Sequence, residues 1–482
     1  MEVVRLTNLG NLTLRSMLNL EQIYEENSSL RSESLTRLWA PKAEMEMFEF
    51  LFTMYHLEKE NSFLTKEGNY YVKRDDPQYE DHIKGINQLM QRYRKLGLVR
   101  LVRDTRLPEV INQDVKKDEY TNPIKYVIQA TIELTGLCNL NCRHCYRGGS
   151  REEEYGLSAE EIKKALEPLL RAGVVSISFI GAEPKLREDD LFEIIDYASP
   201  FLVPMGVGEK KSKKPETTIG VYTNGNFNNQ REFVRKLKSY GNVGLQTSLD
   251  CYDEKKTDRN RGKGVFAKVK NLARICKEGG LELRLGMLCD SEFLDRDRVL
   301  NRQLTEEETE HMEYFYGMDV KLNAGNIIQL GNAVQANFNP VIDSSSNYFG
   351  ALSSSKKHKD GWCKGFTRPD RLHIRPTGNV GNCNYAYGFP EEFGNLKSSS
   401  MIEILNGIQN TRIYQMFKDG SIERYQYEID RSLFQKPFSE SCEIAVITAA
   451  YGLVKERLMR EGIENPVQKA NEEVARMYKF IS

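Results

Sequence analysis

The 482-residue chain has no excess of either charge: 68 Lys and Arg stand against 69 Asp and Glu, a net charge of −1. A nucleic-acid-binding chain needs a basic field, and bulk charge supplies none. No apolar run approaches the length of a membrane span, and Met1-Glu2-Val3-Val4-Arg5 lacks a signal-peptide apolar core. The expectation is a soluble, cytoplasmic chain with neither nucleic acid nor membrane as partner. No Gly-x4-Gly-Lys-Ser/Thr phosphate loop occurs, and Gly206-Val207-Gly208 is too short for a dinucleotide site. His56, His82, His311, His358 and His373 are scattered, and cysteine is absent before Cys138.

What is present allows sizeable cores: 40% apolar residues, with 24 Tyr and 21 Phe, which argues against a disordered chain. At roughly 150 residues per domain the length suggests about three folding units. The nine cysteines are odd in number, and a cytosol keeps thiols reduced. Metal binding or thiol chemistry therefore has to be weighed before a disulfide framework.

The cysteines divide the chain. A cysteine-free unit over 1–115 has apolar residues at helical spacing in 43–58 and 79–95. It has β-like runs at Asn69–Lys73 and Leu98–Val102, with Gly97 stopping the second helix. This order resembles a small winged-helix domain. A polar connection over 114–122 follows. The middle unit, 124–340, alternates strand and helix. Strands are expected at 126–134, 174–180, 218–222, 243–249, 281–288 and 326–330, and helices at 158–171, 189–198, 230–239 and 265–277. Ser158-Ala159-Glu160-Glu161 reads as a capping box. Repeated βα units make an α/β fold with a parallel sheet, and six such strands form an incomplete barrel whose chemistry gathers at the C-terminal strand ends. The Lys-rich 210–214 reads as a solvated insertion and the Ser- and Lys-rich 344–359 as a linker. The third unit, 361–482, has a β-like core at 372–380, turned at Gly378 and Gly381, and a long helical pattern from Ile444.

The strongest motif is Cys138-x3-Cys142-x2-Cys145, directly after the first middle strand. Three thiolates on one loop repel unless a metal neutralises them. Iron–sulfur clusters are held by such sets, usually four, so three leave one iron open to substrate or cofactor. Polar Asn139, Asn141, Arg143 and His144 around them speak against a merely buried trio. Zinc is the competing metal, but a structural zinc site wants a fourth protein ligand.

On these residues the middle unit resembles the radical SAM enzymes. The resemblance implies a [4Fe-4S] cluster on Cys138, Cys142 and Cys145 whose open iron chelates S-adenosylmethionine. Reductive cleavage then gives a 5′-deoxyadenosyl radical that abstracts a hydrogen atom. Gly181-Ala182-Glu183-Pro184 resembles the motif that holds the methionine amino group, with Ala182 replacing its second glycine. Thr223-Asn224-Gly225 follows the third strand, and Ser248-Leu249-Asp250 ends the fourth, where the family contacts the ribose. Arg261-Gly262 and Gly264-Val265-Phe266 match the segment that reaches the carboxylate. The aromatic position that cradles adenine falls on His144 or Tyr146.

The N-terminal unit resembles the leader-recognition domain of enzymes that modify ribosomally made peptides, where a sheet edge takes the leader as an added strand. A packing or dimerisation module is the bland alternative. Cys363, Ile374-Arg375-Pro376-Thr377-Gly378-Asn379-Val380-Gly381-Asn382-Cys383 and Phe393-Gly394-Asn395-Leu396 resemble a SPASM/twitch α+β extension. Such extensions hold two auxiliary clusters on seven or so cysteines, and this unit has Cys363, Cys383 and Cys442. That deficit turns the resemblance towards proteusin-type peptide epimerases, which need no net oxidation. The implied reaction removes an α-hydrogen from an L-residue and returns one from a cysteine thiol on the opposite face. Cys383 is the first candidate donor, with Cys363, Cys251 and Cys289 as alternatives; Cys276 and Cys442 read as structural. The implied partners are a precursor peptide and an external electron donor such as flavodoxin or ferredoxin. A maturase that cross-links side chains with one auxiliary cluster is the alternative enzyme. A peptide-binding scaffold with a structural cluster is the non-catalytic one.

Overall fold

The computed structural model describes residues 2–6, 54, 64–67, 70–73 and 99–102 near the N-terminus. With a few short gaps it further describes 127–149, 155–202, 217–289, 305–326, 371–433 and 441–478. The helices expected over 43–58 and 79–95, the linker over 344–359, the insertion over 210–214 and Cys363 lie outside the described residues, Met54 excepted. Backbone contacts group into two compact units, Met1–Ala130 with Ile162–Ile177 and Ile194–Ile219, and Thr131–Glu161 with Ser178–Glu193 and Gly220–Ser482.

The first unit carries a four-stranded sheet of β1 (Glu2–Leu6), β2 (Leu64–Glu67), β3 (Tyr70–Lys73) and β4 (Val99–Val102), in the order β3-β2-β1-β4. Pairs β1/β2, β1/β4 and β2/β3 are antiparallel. The runs expected at 69–73 and 98–102 are β3 and β4.

A nine-stranded sheet follows the βα alternation. Its strands are β5 (Gln129–Glu133), β6 (Ser176–Ile180), β7 (Ile219–Thr223), β8 (Val243–Ser248), β9 (Leu283–Cys289) and β10 (Lys321–Asn326), then β11 (Arg371–Ile374), β12 (Asn379–Gly381) and β13 (Gly394–Asn395). The order is β10-β9-β8-β7-β6-β5-β11-β12-β13. Pairs β8/β9 and β9/β10 are parallel, whereas β11/β12 and β12/β13 are antiparallel. The hairpin elements thus continue the sheet beside β5. Helices between the first six strands are α1 (Ala159–Ala172), α2 (Glu188–Ala198), α3 (Gln230–Ser239), α4 (Glu254–Arg261), α5 (Val265–Gly279) and α6 (Glu306–Gly317). The Ser158 capping box is formed: Glu161 N–H donates to Ser158 Oγ, and the Glu161 carboxylate accepts from Ser158 N–H at 2.8 Å.

The core lies along strands with little exposed surface, as sheets covered on both faces require. Ile132, Phe179, Val221, Leu245 and Leu285 are fully or almost fully buried. Where β7 alternates, Val221 and Thr223 share the buried face while Tyr222 is exposed. Two helices differ from the sequence reading. Neither α4 nor α6 is foreshadowed by periodicity, because Glu-Lys-Lys-Thr-Asp-Arg-Asn-Arg has no apolar residue and α6 buries Glu308 and His311 with Phe315. Their side-chain caps, Asp253 and Thr305, are the signals present. The last barrel-type strand ends at Asn326 rather than beginning there.

Beyond β13 come α7 (Met401–Gly407), α8 (Arg412–Lys418), α9 (Ile422–Gln426), α10 (Ser441–Arg460) and α11 (Pro466–Met477). The single helical pattern expected from Ile444 is broken at Gly462 and Asn465, both in the left-handed region, and Pro466 opens the next helix.

Candidate functional site

The three cysteines occupy the loop that leaves β5. Cys145 N–H donates to Cys142 O at 3.1 Å, closing a tight turn between the second and third cysteines. Arg143 N–H donates to Asn260 O at 2.8 Å, and the Cys142 thiol lies 3.9 Å from Arg261 O. Cys138 Sγ accepts from Leu140 N–H at 3.5 Å and from Asn224 Nδ2 at 3.8 Å. The loop is therefore tied both to the end of β7 and to the end of α4.

Glycine at 181 is a geometric requirement. It sits at φ +113°, and a Cβ there would meet Thr135 O at 3.1 Å and Glu133 Cα at 3.3 Å. This close approach lets Ala182 N–H reach Thr135 O and Glu183 N–H reach Leu137 O, at 3.4 and 2.9 Å. Glu183, only 1% exposed, accepts from Thr223 Oγ1 and Asn224 N–H, each at 2.7 Å, and from Lys185 N–H at 3.1 Å. Burial pushes its carboxyl up to about 6 against those donors. Pro184 opens the short 3-10 turn that Glu183 caps.

Asp250 follows β8 at φ +49°, a backbone that aspartate tolerates better than most residues. Its buried carboxylate accepts from Arg261 Nε at 2.8 Å and Nη2 at 2.5 Å, and from Asn260 at 3.4 Å. Burial opposes its ionisation, but Arg261 and His144 hold the carboxyl below its usual range. His144 Nδ1 lies 3.6 Å from Asp250, and burial lowers this imidazole to about 4, so it is neutral near pH 7. Tyr146 is half-buried. Ser248 ends β8.

The donor chemistry of the loop fits an iron–sulfur group. Burial, with the charges of Glu183 and Cys145, pushes Cys138 up to about 11; burial pushes Cys142 up to about 12, with Cys145, Asp250 and Cys138 adding to it. Such a site holds protons until a cation replaces them. Among the described residues, the one trio of metal-type donors within 4.8 Å of one another is Glu254, Glu307 and His311. At least one pair of the three thiols therefore lies more than 4.8 Å apart, wider than the about 3.8 Å implied by tetrahedral zinc with Zn–S bonds near 2.3 Å. A polynuclear cluster takes a wider set.

The other thiols differ sharply. Cys251 is buried, with Sγ 3.5 Å from Asp253 O and 3.7 Å from Thr257 Oγ1, and burial pushes it up to about 11. Cys276 is buried in α5, as a packing residue should be. Cys289 ends β9 and Cys442 lies in α10. Cys383 is half-buried, and its carbonyl accepts from Arg375 Nη2 at 2.7 Å.

Sequence reasoning missed what Arg375 reaches next. Its Nη1 lies 3.2 Å from Glu133, the last residue of β5, which also contacts His373 Nε2 at 2.7 Å and the Arg147 guanidinium. The legible signal was a carboxylate at the end of a barrel strand; its partners lie up to 242 residues away.

The family model described as the Radical SAM superfamily matches residues 132–297. This segment is a radical SAM domain, and its cofactors are a [4Fe-4S] cluster and S-adenosylmethionine. Among curated proteins the chain is similar to antilisterial bacteriocin subtilosin biosynthesis protein AlbA of Bacillus subtilis (strain 168), 32% identical over 35% of this chain and 34% of that one. It is also similar to sporulation killing factor maturation protein SkfB of the same organism, 27% identical over 35% of this chain and 37% of that one. The chain thus spans 34–37% of the length of these relatives. Among solved structures, Streptococcus suis SuiB bound to precursor peptide SuiA is 13% identical, with 84% of each chain covered and a TM-score of 0.48.

Proposed function

We propose that this chain is a radical SAM peptide epimerase that converts L- to D-residues in a ribosomally made precursor peptide. The reading builds on the radical SAM domain over 132–297. The observation that carries the rest is a thiol outside the triplet, Cys383, whose peptide is bonded to Arg375 and through it to the end of the strand from which the cluster loop departs. Cys138, Cys142 and Cys145 hold the cluster. Glu183, with Thr223 and Asn224, lines the side taken by the methionine amino group, together with Gly181, Ala182 and Pro184. Ser248, Asp250 and Arg261 line the ribose and carboxylate side. Because His144 is buried against Asp250, Tyr146 is the ring assigned to adenine.

Held at Cys138, Cys142 and Cys145, the cluster with S-adenosylmethionine would supply a 5′-deoxyadenosyl radical able to take one α-hydrogen atom from the peptide. The protein's share is to present one peptide face to that abstraction and a thiol to the other. Cys383 S–H gives its hydrogen atom to the planar α-carbon, which closes the inverted centre and leaves a sulfur radical. One electron from an external donor such as flavodoxin or ferredoxin, and one proton, restore the thiol. The peptide undergoes no net oxidation. The leader pairs with an edge strand of the β3-β2-β1-β4 sheet.

The test is reaction with a co-encoded peptide in deuterated water. Epimerisation gives solvent deuterium at α-carbons and D-residues on hydrolysis. Cys383→Ala is expected to keep making 5′-deoxyadenosine while D-residues disappear. A second reading is side-chain cross-linking with an auxiliary cluster on Cys363, Cys383 and Cys442; the names of the similar proteins, given for biosynthesis and maturation, accord with either reaction. A product lacking hydrogens with every residue still L, and about eight irons per chain rather than four, would establish that reaction instead.

A further inference from the structure

Glu133 is 1% exposed and ends β5. A carboxylate so deeply buried persists only with partners. Its partners come from two distant parts of the chain. Arg147 stands two residues beyond Cys145, on the loop of the thiol triplet. His373 and Arg375 come from β11 and the turn after it. Arg375, 3% exposed, also donates through Nε to Glu392 and through Nη2 to Cys383 O, and its N–H bonds Asn379 O at 2.9 Å. Tyr146 and Cys383 both lie within electrostatic reach of its guanidinium. One planar cation thus serves Glu133, Glu392 and the Cys383 carbonyl, three acceptors in different directions. Guanidinium has five N–H donors in a fixed fork, and an ammonium group on a flexible stem cannot reproduce that geometry.

We propose that Arg375 is a positioning residue for the Cys383 thiol: it clamps the Cys383 peptide to Glu133, and Glu133 to Arg147, so that the thiol-bearing turn and the cluster-bearing loop keep one fixed register. The proposal rests on the reading of Cys383 as hydrogen donor for its functional meaning, but the clamp itself is a statement about geometry. A donor must approach the α-carbon from one face only, and a displacement of about 1 Å costs such a transfer about a hundredfold. A buried clamp on the donor's own peptide group, rather than on its side chain, leaves the S–H bond available.

The test uses the full-length holoenzyme with its precursor peptide, as wild type, Arg375→Gln, Arg375→Lys and Cys383→Ala. Three quantities are read: 5′-deoxyadenosine with iron content, D-residues formed per 5′-deoxyadenosine, and the rate of Cys383 alkylation by iodoacetamide against that of buried Cys276. Arg375→Gln should keep iron and 5′-deoxyadenosine within about threefold and lower the D-residue ratio about tenfold or more. It should also speed Cys383 alkylation relative to Cys276, and Arg375→Lys should fall between Gln and wild type in both. An unchanged ratio with unchanged alkylation overturns the proposal. So does a proportional loss of iron, 5′-deoxyadenosine and D-residues, which marks a plain folding role. If Cys383→Ala still makes D-residues, the donor reading fails, and the alkylation contrast alone then decides whether Arg375 positions Cys383.

Discussion

Two buried carboxylates flank the thiol loop, and they are built in opposite ways. Asp250 gathers Arg261 and Asn260 from the helix that follows it, ten or eleven residues on, and His144 from the loop itself. Glu133 gathers Arg147 from the loop, and His373 and Arg375 from 240 or more residues away. Apart from His144 the first corner is local, and the second closes the middle of the chain onto its C-terminal hairpin. A local corner fixes the shape of one loop. A long-range corner fixes the position of one loop relative to another element, which is what a two-sided hydrogen transfer needs.

The largest effect comes from removing what both corners hold. Cys142→Ala is expected to abolish 5′-deoxyadenosine formation and to lower the iron content, measured by chromatography and iron assay on the anaerobically reconstituted chain. Residual cleavage at the wild-type rate would dissociate the loop from the chemistry. Next come the corners themselves. Asp250→Ala leaves Arg261 buried without its carboxylate, and Glu133→Ala takes the Glu133 carboxylate from Arg147 and leaves Arg375 with Glu392 alone; each is expected to cost about 3–5 kcal/mol in denaturant unfolding. The functional losses should differ. Asp250→Ala should depress 5′-deoxyadenosine formation itself, whereas Glu133→Ala should depress D-residue yield per 5′-deoxyadenosine. Identical losses in both assays would erase the distinction between the corners.

The same contrast explains what was legible in the sequence. The triplet, Gly181–Pro184, Thr223-Asn224 and Ser248–Asp250 each lie within a few consecutive residues at a strand end, so spacing exposed the triplet and the resemblance to the radical SAM enzymes marked the other three. Periodicity placed α3 and α5 closely because Phe233, Val234 and Leu237, and Val269, Leu272 and Cys276, repeat at helical spacing towards the core. It was blind to α4, which has no apolar residue, although that helix supplies Asn260 and Arg261. Nor could it foresee that β11 continues the sheet beside β5, since strand pairing across such a separation leaves no local pattern. The Glu133 corner was unreadable for that reason, even though Arg375 stood inside a segment already marked by its turn glycines.

Backbone at the junction between the corners offers a smaller perturbation. Gly181→Ala forces a Cβ to 3.1 Å from Thr135 O in a left-handed backbone, and is expected to cost about 2–3 kcal/mol by thermal or denaturant unfolding. A neutral substitution would mean that the β6 exit does not set the loop's approach to β5.

The smallest predicted effect is a pH dependence from Glu183, which belongs to neither corner. Burial raises its carboxyl from the model-compound value of 4.5 to about 6 in the folded chain. Between those two values the folded state binds more protons than the unfolded state, so this group's contribution to stability falls as pH rises. The contribution is fully present below pH 4.5 and gone above about 6, amounting to at most about 2 kcal/mol. Glu183→Gln removes the titration. In the metal-free chain, wild type should therefore lose stability relative to this variant as pH is raised through the window, read as diverging denaturant midpoints. Parallel midpoints would mean that Thr223, Asn224 and Lys185, which all donate to this carboxylate, already offset its burial completely. Glu183 would then be an anion across that window before any ligand arrives.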